Sequence, residues 1–143
     1  MSELRVKKRE TGATATLGRN GHPQLVTPTG GTLAVVTAAS EPGFNPLDLL
    51  YSSLAACLVL SARIAASRMN LLDRFKAVDA RVTGEKSDGE PARIVRFDMV
   101  LTIDGDFDQD TKQAIAQEAE KICTVSNTLH GNAAFHLTVS NQR

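Results

Sequence analysis

The stretch that decides the fold is residues 45–69, which read NPLDLLYSSLAACLVLSARIAASRM. Asn45 suits the N-cap of a helix, Pro46 suits its first position, and Asp48 stands at the third position, as in a capping box. We therefore predict a helix from Leu47 to about Met69 that is apolar on most of its faces. Such a helix must be buried on nearly every side, and a chain of 143 residues has few elements to surround it. We expect a second subunit to supply part of the cover.

Strands and turns are predicted before this helix. The loop Gly18–Pro23 contains an Asn-Gly dipeptide, which is typical of a type I′ hairpin turn. Around Leu4 and Val6, apolar residues alternate with charged ones, which favours a first strand. A three-stranded antiparallel meander is expected over residues 13–17, 24–27 and 33–38.

After the helix the pattern turns to β again. Apolar residues alternate along two segments joined by a polar turn, which predicts an antiparallel strand pair over residues 75–85 and 93–103. A second helix is expected from Asp108 or Asp110 to about Ile122, and a final strand over Ala133–Val139. The order β-β-β-α-β-β-α-β predicts an α+β fold.

Length and composition indicate a single globular domain over residues 1–143. Sixteen basic residues balance sixteen acidic ones, so charge gives no reason to expect nucleic acid or an anionic membrane as a partner. The charged N-terminus lacks the apolar stretch of a secretory signal. Ser52, Ser61 and Arg63 interrupt the most apolar run, which argues against a membrane span. We expect a cytoplasmic location.

The two cysteines, Cys57 and Cys123, are the candidates for chemistry. In a reducing compartment a pair of cysteines seldom forms a permanent bridge, so either both are buried small hydrophobic residues or at least one is reactive. Cys57 lies midway along the apolar helix, where burial raises the pKa of a thiol. If a helical turn restarts after Cys123, its free N–H groups favour the thiolate of Cys123. The residues alone leave both readings open.

Motifs for other chemistry are missing from the sequence. The histidines are far apart along the chain, and neither Cys-x-x-Cys nor His-x-x-x-His occurs, so we expect no metal site. A glycine-rich phosphate loop and a Gly-x-Ser-x-Gly elbow are also missing, which argues against nucleotide binding and against a hydrolase. We expect no cofactor.

Three motifs resemble those of the OsmC/Ohr family of hydroperoxide reductases. Gly43–Leu50, followed by Cys57, looks like the family's Gly-x-Asn-Pro-Glu-x-Leu…Ala-Cys helix pattern. The segment 123–127, Cys-Thr-Val-Ser-Asn, resembles the family's Cys-Pro-x-Ser-Asn motif, and Gly18–Gly21 is similar to the Gly-Arg-Asp-Gly turn of the Ohr branch. The motifs fall in family order and span most of the chain. The resemblance implies an intertwined homodimer whose sheets wrap around two central helices.

The resemblance also implies cysteine-based reduction of organic hydroperoxides without metal, flavin or haem. Cys57 would attack the distal oxygen of the hydroperoxide and become a sulfenic acid. Cys123 would resolve that acid as a disulfide, and an external dithiol would reduce the pair. In the Ohr branch this dithiol is a lipoyl group on a carrier protein.

The family places an arginine and a glutamate near the reactive thiol. Arg19 is the candidate arginine because of its Gly-Arg-Asn-Gly context; the alternative is an ordinary exposed hairpin arginine. Leu47 occupies the family's glutamate position, so Asp48 is the candidate acid. Nine helical residues rotate by about 900°, so Asp48 and Cys57 point to opposite sides of an ideal helix. A capping role explains Asp48 without catalysis.

Two rival functions therefore stand beside peroxidase activity. Leu47 in place of the usual acid favours a small-molecule binding or redox-sensing protein on the same fold, with little peroxidase activity. The weaker rival is that both thiols are structural. Rapid reaction of either thiol in the native state would exclude the structural reading.

Overall fold

The computed structural model describes residues 8–141, which fall into two compact units that meet in sequence between Leu49 and Leu50. The strand expected around Leu4 and Val6 lies outside the described residues. Each unit contains an antiparallel sheet, and the helices lie almost entirely in the second unit, so the predicted α+β class is confirmed. The assignment of residues 1–143 to a single domain stays a prediction.

The first unit contains a three-stranded antiparallel sheet in the order β1-β2-β3, as the meander prediction requires. The third strand is shorter than expected, since the pairing with β2 ends at Ala34 and Val35 forms only an isolated bridge with Phe44. The strands are β1 (Thr14–Thr16), β2 (Gln24–Val26) and β3 (Thr32–Ala34).

The turn between β1 and β2 differs from the type I′ prediction. Gly21 has a positive φ of 90°, but among the described residues other than glycine only Asn70 has a positive φ. A type I′ turn needs both central residues in that region, so Asn20 does not form one. The strands are joined instead by a longer loop, Leu17–Pro23.

Gly43 precedes the long helix and cannot carry a side chain without strain. Its φ is +142°, and a Cβ at this position would lie 2.6 Å from Cγ1 of Val36. The N–H of Val36 donates to the carbonyl of Phe44 at 3.0 Å, which holds the two segments close together. Gly43 therefore allows the backbone at this position to lie close to the side chain of Val36.

Helix α1 (Pro46–Arg68) begins at the predicted residues. The N–H of Asp48 donates to Oδ1 of Asn45 at 2.8 Å, and the N–H of Asn45 donates to the Asp48 carboxylate at 3.0 Å. These reciprocal bonds satisfy two N–H groups at the helix start. The predicted capping box is confirmed.

The second unit contains the β-hairpin and two further helices. Strands β4 (Phe75–Lys86) and β5 (Ile94–Gly105) pair antiparallel, which confirms the predicted strand pair. Asp108, and not Asp110, caps α2 (Gln109–Ile122), because its carboxylate accepts the N–H of Thr111 at 2.8 Å. A third helix, α3 (Thr124–His130), follows at once.

The core of the second unit lies between α1, the hairpin and α2. Small side chains let the backbone of α1 lie close to the hairpin and to α2. Ala62, Ala65 and Ala66 pack with Ile103 of β5 and with two residues of α2. The buried members of this core are Ala62, Ala65, Ala66, Ile103, Ile115 and Ala119. The predicted burial of the long helix is thus confirmed for one of its faces.

Another face of α1 remains exposed in the single chain. Leu60 is 51% exposed and Ile64 is 42% exposed. By its length and by the mean hydropathy of 1.7 of an 18-residue window, α1 could cross a membrane. The core helices of globular proteins can be equally long and apolar. Because one face packs against the hairpin and α2, we treat α1 as a core helix. The cytoplasmic location and the second subunit stay predictions.

The final strand predicted over Ala133–Val139 is wrong for the single chain. This segment belongs to no sheet, and the side chains of Phe135, Leu137 and Val139 are 95%, 95% and 88% exposed. A strand needs a neighbouring strand to pair with its backbone groups, and the sequence pattern does not reveal whether the same chain supplies one. The described order ends in two consecutive helices instead.

Candidate active site

The two cysteines, separated by most of the second unit's sequence, lie in contact. Cys57 is in the middle of α1 and half-buried, whereas Cys123 lies between α2 and α3 and is 0% exposed. Both pack in one apolar cluster with Leu54 and Leu58. The two thiols are close enough to affect each other's ionisation: Cys123 lowers the pKa of Cys57, and Cys57 raises the pKa of Cys123.

Cys123 is held at the junction of two helices. Its N–H donates to the carbonyl of Ala119 at 3.0 Å, which closes α2. Its extended backbone, with φ −64° and ψ 108°, then turns the chain, and its sulfur accepts the N–H of Ser126 at 3.4 Å. Cys123 thus acts as the C-cap of α2 and the N-cap of α3.

Hydrogen bonds favour the thiolate form of Cys57. Burial raises the pKa of its thiol, but bonds from the N–H of Val125, the thiol of Cys123, the hydroxyl of Ser61 and the N–H of Thr124 outweigh burial and lower the pKa. A hydrogen bond to the charged form stabilises that form. At a given pH Cys57 is therefore more often a thiolate than an ordinary cysteine is.

The pKa of Cys123 shifts in the opposite direction. Burial raises it, the N–H of Ser126 lowers it, and the contact with Cys57 raises it again, so that the net shift is upward. The predicted turn does restart, and the N–H groups of Ser126 and Val125 favour the thiolate of Cys123 as expected, but burial and Cys57 outweigh them. The N–H groups of Thr124 and Val125 also lower the pKa of Cys57.

The structure places the other two predicted site residues in the first unit. Arg19 is exposed in the loop between β1 and β2. The Asp48 carboxylate is engaged in the capping box with Asn45. Their contribution to the chemistry of Cys57 stays a prediction.

Two of the three histidines lie close to carboxylates. Nε2 of His22 lies 3.3 Å from a Glu41 oxygen, and Nε2 of His130 lies 3.7 Å from a Glu120 oxygen. Across residues 8–141, no group of three or more His, Cys, Asp or Glu side chains is arranged to hold a metal ion.

Sequence reasoning missed two features of the site. Ser61 was considered only as an interruption of an apolar run, although a serine four residues after a cysteine lies next to it on a helix. The role of the N–H groups of Thr124 and Val125 leaves no signal in the sequence, because these are backbone groups and not side chains. Only the fold brings them to Cys57.

Comparisons with known proteins bear on the family and the fold of the chain. The model of a protein family described as OsmC-like protein matches residues 38–138. No curated protein matches the sequence significantly. The match to the family model covers more than half of the chain and includes both cysteines.

Solved structures share the fold at low sequence identity. An OsmC-like protein of Mycoplasma pneumoniae has a TM-score of 0.73 and 20% identity, with 88% of this chain and 90% of that chain covered. An organic hydroperoxide resistance protein OsmC of Legionella pneumophila has a TM-score of 0.70 and 18% identity, with 87% and 93% covered. The organic hydroperoxide resistance protein OhrB of Bacillus subtilis has a TM-score of 0.65 and 23% identity, with 85% and 90% covered. By its match to the family model, this chain belongs to the OsmC-like protein family.

Proposed function

We propose that the protein is a thiol-dependent peroxidase that reduces organic hydroperoxides, with Cys57 as the peroxidatic residue and Cys123 as the resolving residue. The observation that carries the proposal is the asymmetry of the thiol pair. Cys57 is the more accessible residue and has the lowered pKa, whereas Cys123 is buried and has the raised pKa. A nucleophile must be ionised and reachable, and its resolving partner must lie close by.

The reaction balances with a dithiol as the electron donor. The Cys57 thiolate attacks the distal oxygen of the hydroperoxide ROOH, the O–O bond breaks, and the alkoxide takes a proton to leave as ROH. The Cys57 sulfenic acid then condenses with the Cys123 thiol to form a disulfide and water. An external dithiol, such as a lipoyl group on a carrier protein, reduces the disulfide and supplies the two electrons.

The surroundings of the sulfurs suit an organic substrate. The side chains of the cluster around them are apolar, and they include Val82, Phe97 and Met99 of the hairpin. An apolar environment favours contact with an alkyl or aryl group over the small, strongly hydrated hydrogen peroxide. This favours organic hydroperoxides as the substrate class.

A homodimer and two further residues complete the proposal. The side chains of Leu60 and Ile64 of α1 are apolar and exposed, and a second copy of the chain would bury them.

Arg19 and Asp48 are proposed as the arginine and the acid of the site. Arg19→Gln and Asp48→Asn are then expected to slow hydroperoxide reduction, whereas Arg81→Gln, an exposed change on β4, leaves the rate unchanged.

A single-turnover experiment tests the chemistry. Reduced protein is mixed anaerobically with one equivalent of cumene hydroperoxide, quenched with an alkylating agent, and examined by intact mass, alongside Cys57→Ser and Cys123→Ser. We expect a loss of about 2 Da in the wild type, the mark of a disulfide, and a trapped sulfenic acid only in Cys123→Ser. If both thiols are still alkylated and the hydroperoxide is not consumed, the peroxidase proposal fails.

A small-molecule binding function is the second candidate, and two observations favour it. The capping box engages Asp48, and Leu47 stands where the family carries an acid. In addition, an open groove of about 490 Å³ runs between β5 and α2, and neither cysteine is among the residues that line it. Titration with a hydrophobic fluorescent probe before and after alkylation separates the functions, because a binder keeps its affinity and a peroxidase loses its activity.

A further inference from the structure

Asn127 of α3 is hydrogen-bonded to the chain on both sides of the junction between α2 and α3. Its side-chain amide donates from Nδ2 to the carbonyl of Lys121, in the last turn of α2, at 3.0 Å. Its backbone N–H donates to the carbonyl of Cys123, also at 3.0 Å. A single residue therefore bonds to Cys123 itself and to the helix that ends just before it.

The bond to Lys121 links the two helices. The last carbonyls of a helix find no N–H partner within their own helix, so the carbonyl of Lys121 needs a donor from outside α2. Polar side chains on a helix more often bond within it, and the next residue does so: the Thr128 hydroxyl donates to the carbonyl of Thr124 at 2.7 Å. Only the Asn127 side chain, of these two, reaches back to α2.

Cys123 lies at the corner that this bond closes. It is fully buried and packs with Leu54 and Leu58 of α1, in the cluster that also includes Cys57. Its sulfur accepts the N–H of Ser126 at 3.4 Å, so the sulfur is tied to α3 as well. The direction in which α3 leaves α2 therefore determines where the Cys123 sulfur lies relative to α1.

We propose that Asn127 is a positioning residue, whose amide fixes the corner between α2 and α3 and so holds the Cys123 sulfur where it condenses with the Cys57 sulfenic acid. The inference rests on the proposed function, since it takes Cys123 as the resolving residue. In this step the S–S bond forms, the S–O bond of the sulfenic acid breaks, and the oxygen leaves as water. A disulfide requires Cβ atoms about 3.5–4.5 Å apart, so a small displacement of the corner slows the step.

The first test measures how readily the two thiols pair in the absence of peroxide. The reduced protein is equilibrated with glutathione redox buffers, and alkylation followed by intact mass gives the effective concentration of one thiol toward the other. Asn127→Asp keeps the shape of the side chain but has no hydrogen to donate, and Asn127→Ala removes the amide. One hydrogen bond corresponds to about a 3- to 10-fold change in an equilibrium constant, and we expect a fall of this size in both variants.

Thr128→Ala is the matched control. It removes a bond within α3 and leaves the link to α2 in place, so we expect the effective concentration to stay at the wild-type value. Circular dichroism establishes that each variant is folded. A fall in Thr128→Ala equal to that in Asn127→Asp would mean that loss of α3 stability, and not the corner, explains the effect, which would overturn the role of Asn127.

The second test separates the two steps of the reaction. With one equivalent of cumene hydroperoxide, we expect Asn127→Asp to consume the peroxide at the wild-type rate but to accumulate Cys57 sulfenic acid, which dimedone traps. The wild type should leave little to trap, because its Cys123 resolves the acid.

The outcomes distinguish this inference from the proposed function. If the Asn127 variants are folded and pair their thiols as readily as the wild type, the positioning role is overturned. It is also overturned if both variants fail to fold, since Asn127 then maintains the fold itself, or if the wild type forms no disulfide in any buffer. If the effective concentration falls as expected but the wild type consumes no cumene hydroperoxide, Asn127 still positions the pair, and it is the peroxidase function that fails.

Discussion

Cys123 packs in one apolar cluster with Cys57, while its own sulfur accepts the N–H of Ser126 at 3.4 Å. The same residue thus joins the start of α3 to the middle of α1. This relationship makes the two thiols unequal, because it lowers the pKa of Cys57 and raises the pKa of Cys123. The pH dependence of the two thiols and the effect of replacing Cys123 follow from that inequality.

The reactivity of the two thiols is expected to depend differently on pH. The pKa of Cys57 is lowered, so its thiolate fraction rises with pH through a midpoint below that of an ordinary cysteine, about 8.5. The pKa of Cys123 is raised, so its midpoint lies above. Alkylation followed by peptide mass spectrometry across this range measures both midpoints. Faster labelling of Cys123 than of Cys57 at neutral pH would contradict the assignment of roles.

Replacing Cys123 by serine or by alanine is expected to have different consequences. A serine hydroxyl both donates and accepts, so Cys123→Ser keeps the bond to Cys57 and the cap of α3. Cys123→Ala loses both: we expect a higher midpoint for Cys57 and a stability loss of about 1 kcal/mol from the missing cap. Urea unfolding and alkylation of Cys57 measure the two effects. Identical behaviour of the two variants would mean that the Cys123 sulfur makes neither bond in solution.

The capping box is expected to stabilise the first turn of α1. Asn45→Ala and Asp48→Ala each remove one of its two bonds and should each lower the free energy of unfolding by about 0.5–2 kcal/mol. Because the bonds are reciprocal, the double variant should lose less than the sum of the two. Denaturant unfolding gives these values, with Asp88→Ala in the turn between β4 and β5 as the control. Additive losses would show that the two side chains act independently.

The carboxylate of Asp48 can be separated from its capping role. In Asp48→Asn the amide oxygen still accepts the N–H of Asn45, so we expect the stability to be kept within about 0.5 kcal/mol. The acid is lost, however, and the rate of cumene hydroperoxide reduction is expected to fall. An unchanged rate would make Asp48 a structural cap alone.

The C-terminal segment is expected to contribute to a homodimer. Phe135, Leu137 and Val139 alternate along the chain and are almost fully exposed, an arrangement suited to joining the sheet of a second copy. Leu137→Asp should therefore shift the protein toward the monomer in sedimentation velocity. His136→Asp, at the neighbouring alternate position, is the matched control. A monomeric wild type at high concentration would refute the dimer.

The sequence predicted the elements whose pattern is local. The helix start at Asn45 was predictable because a capping box is defined by residues three positions apart. The β4–β5 hairpin was predictable from the alternation of apolar and polar residues. The cysteine pair was found through its likeness to the OsmC/Ohr motifs. In each case the signal lies in residues close together in sequence or in a known motif.

Features that depend on the environment were not predictable in this way. The alternation over 133–139 is typical of a strand, but pairing depends on a neighbour that the described chain does not provide. The direction of the pKa shift at Cys123 depends on its complete burial and on Cys57, both of which are set by packing. Ser61 became visible as a donor only when its partner atom was located.

The donors to Cys57 come from places far apart in the sequence, since Ser61 shares its helix whereas Thr124 and Val125 follow the last core helix. A newly synthesised chain therefore carries an ordinary thiol until its last third has folded onto α1. Because the folded state lowers the pKa of Cys57, ionisation of Cys57 in turn stabilises the fold. The free energy of unfolding rises with pH between the folded and unfolded pKa values of this thiol. The gain disappears as the pH falls through the folded value. The raised pKa of Cys123 has the opposite effect above the ordinary cysteine pKa, where stability falls again. The reduced protein thus has its thiol-linked stability maximum near that ordinary pKa, and an unfolded copy loses the lowered pKa of Cys57 along with its structure.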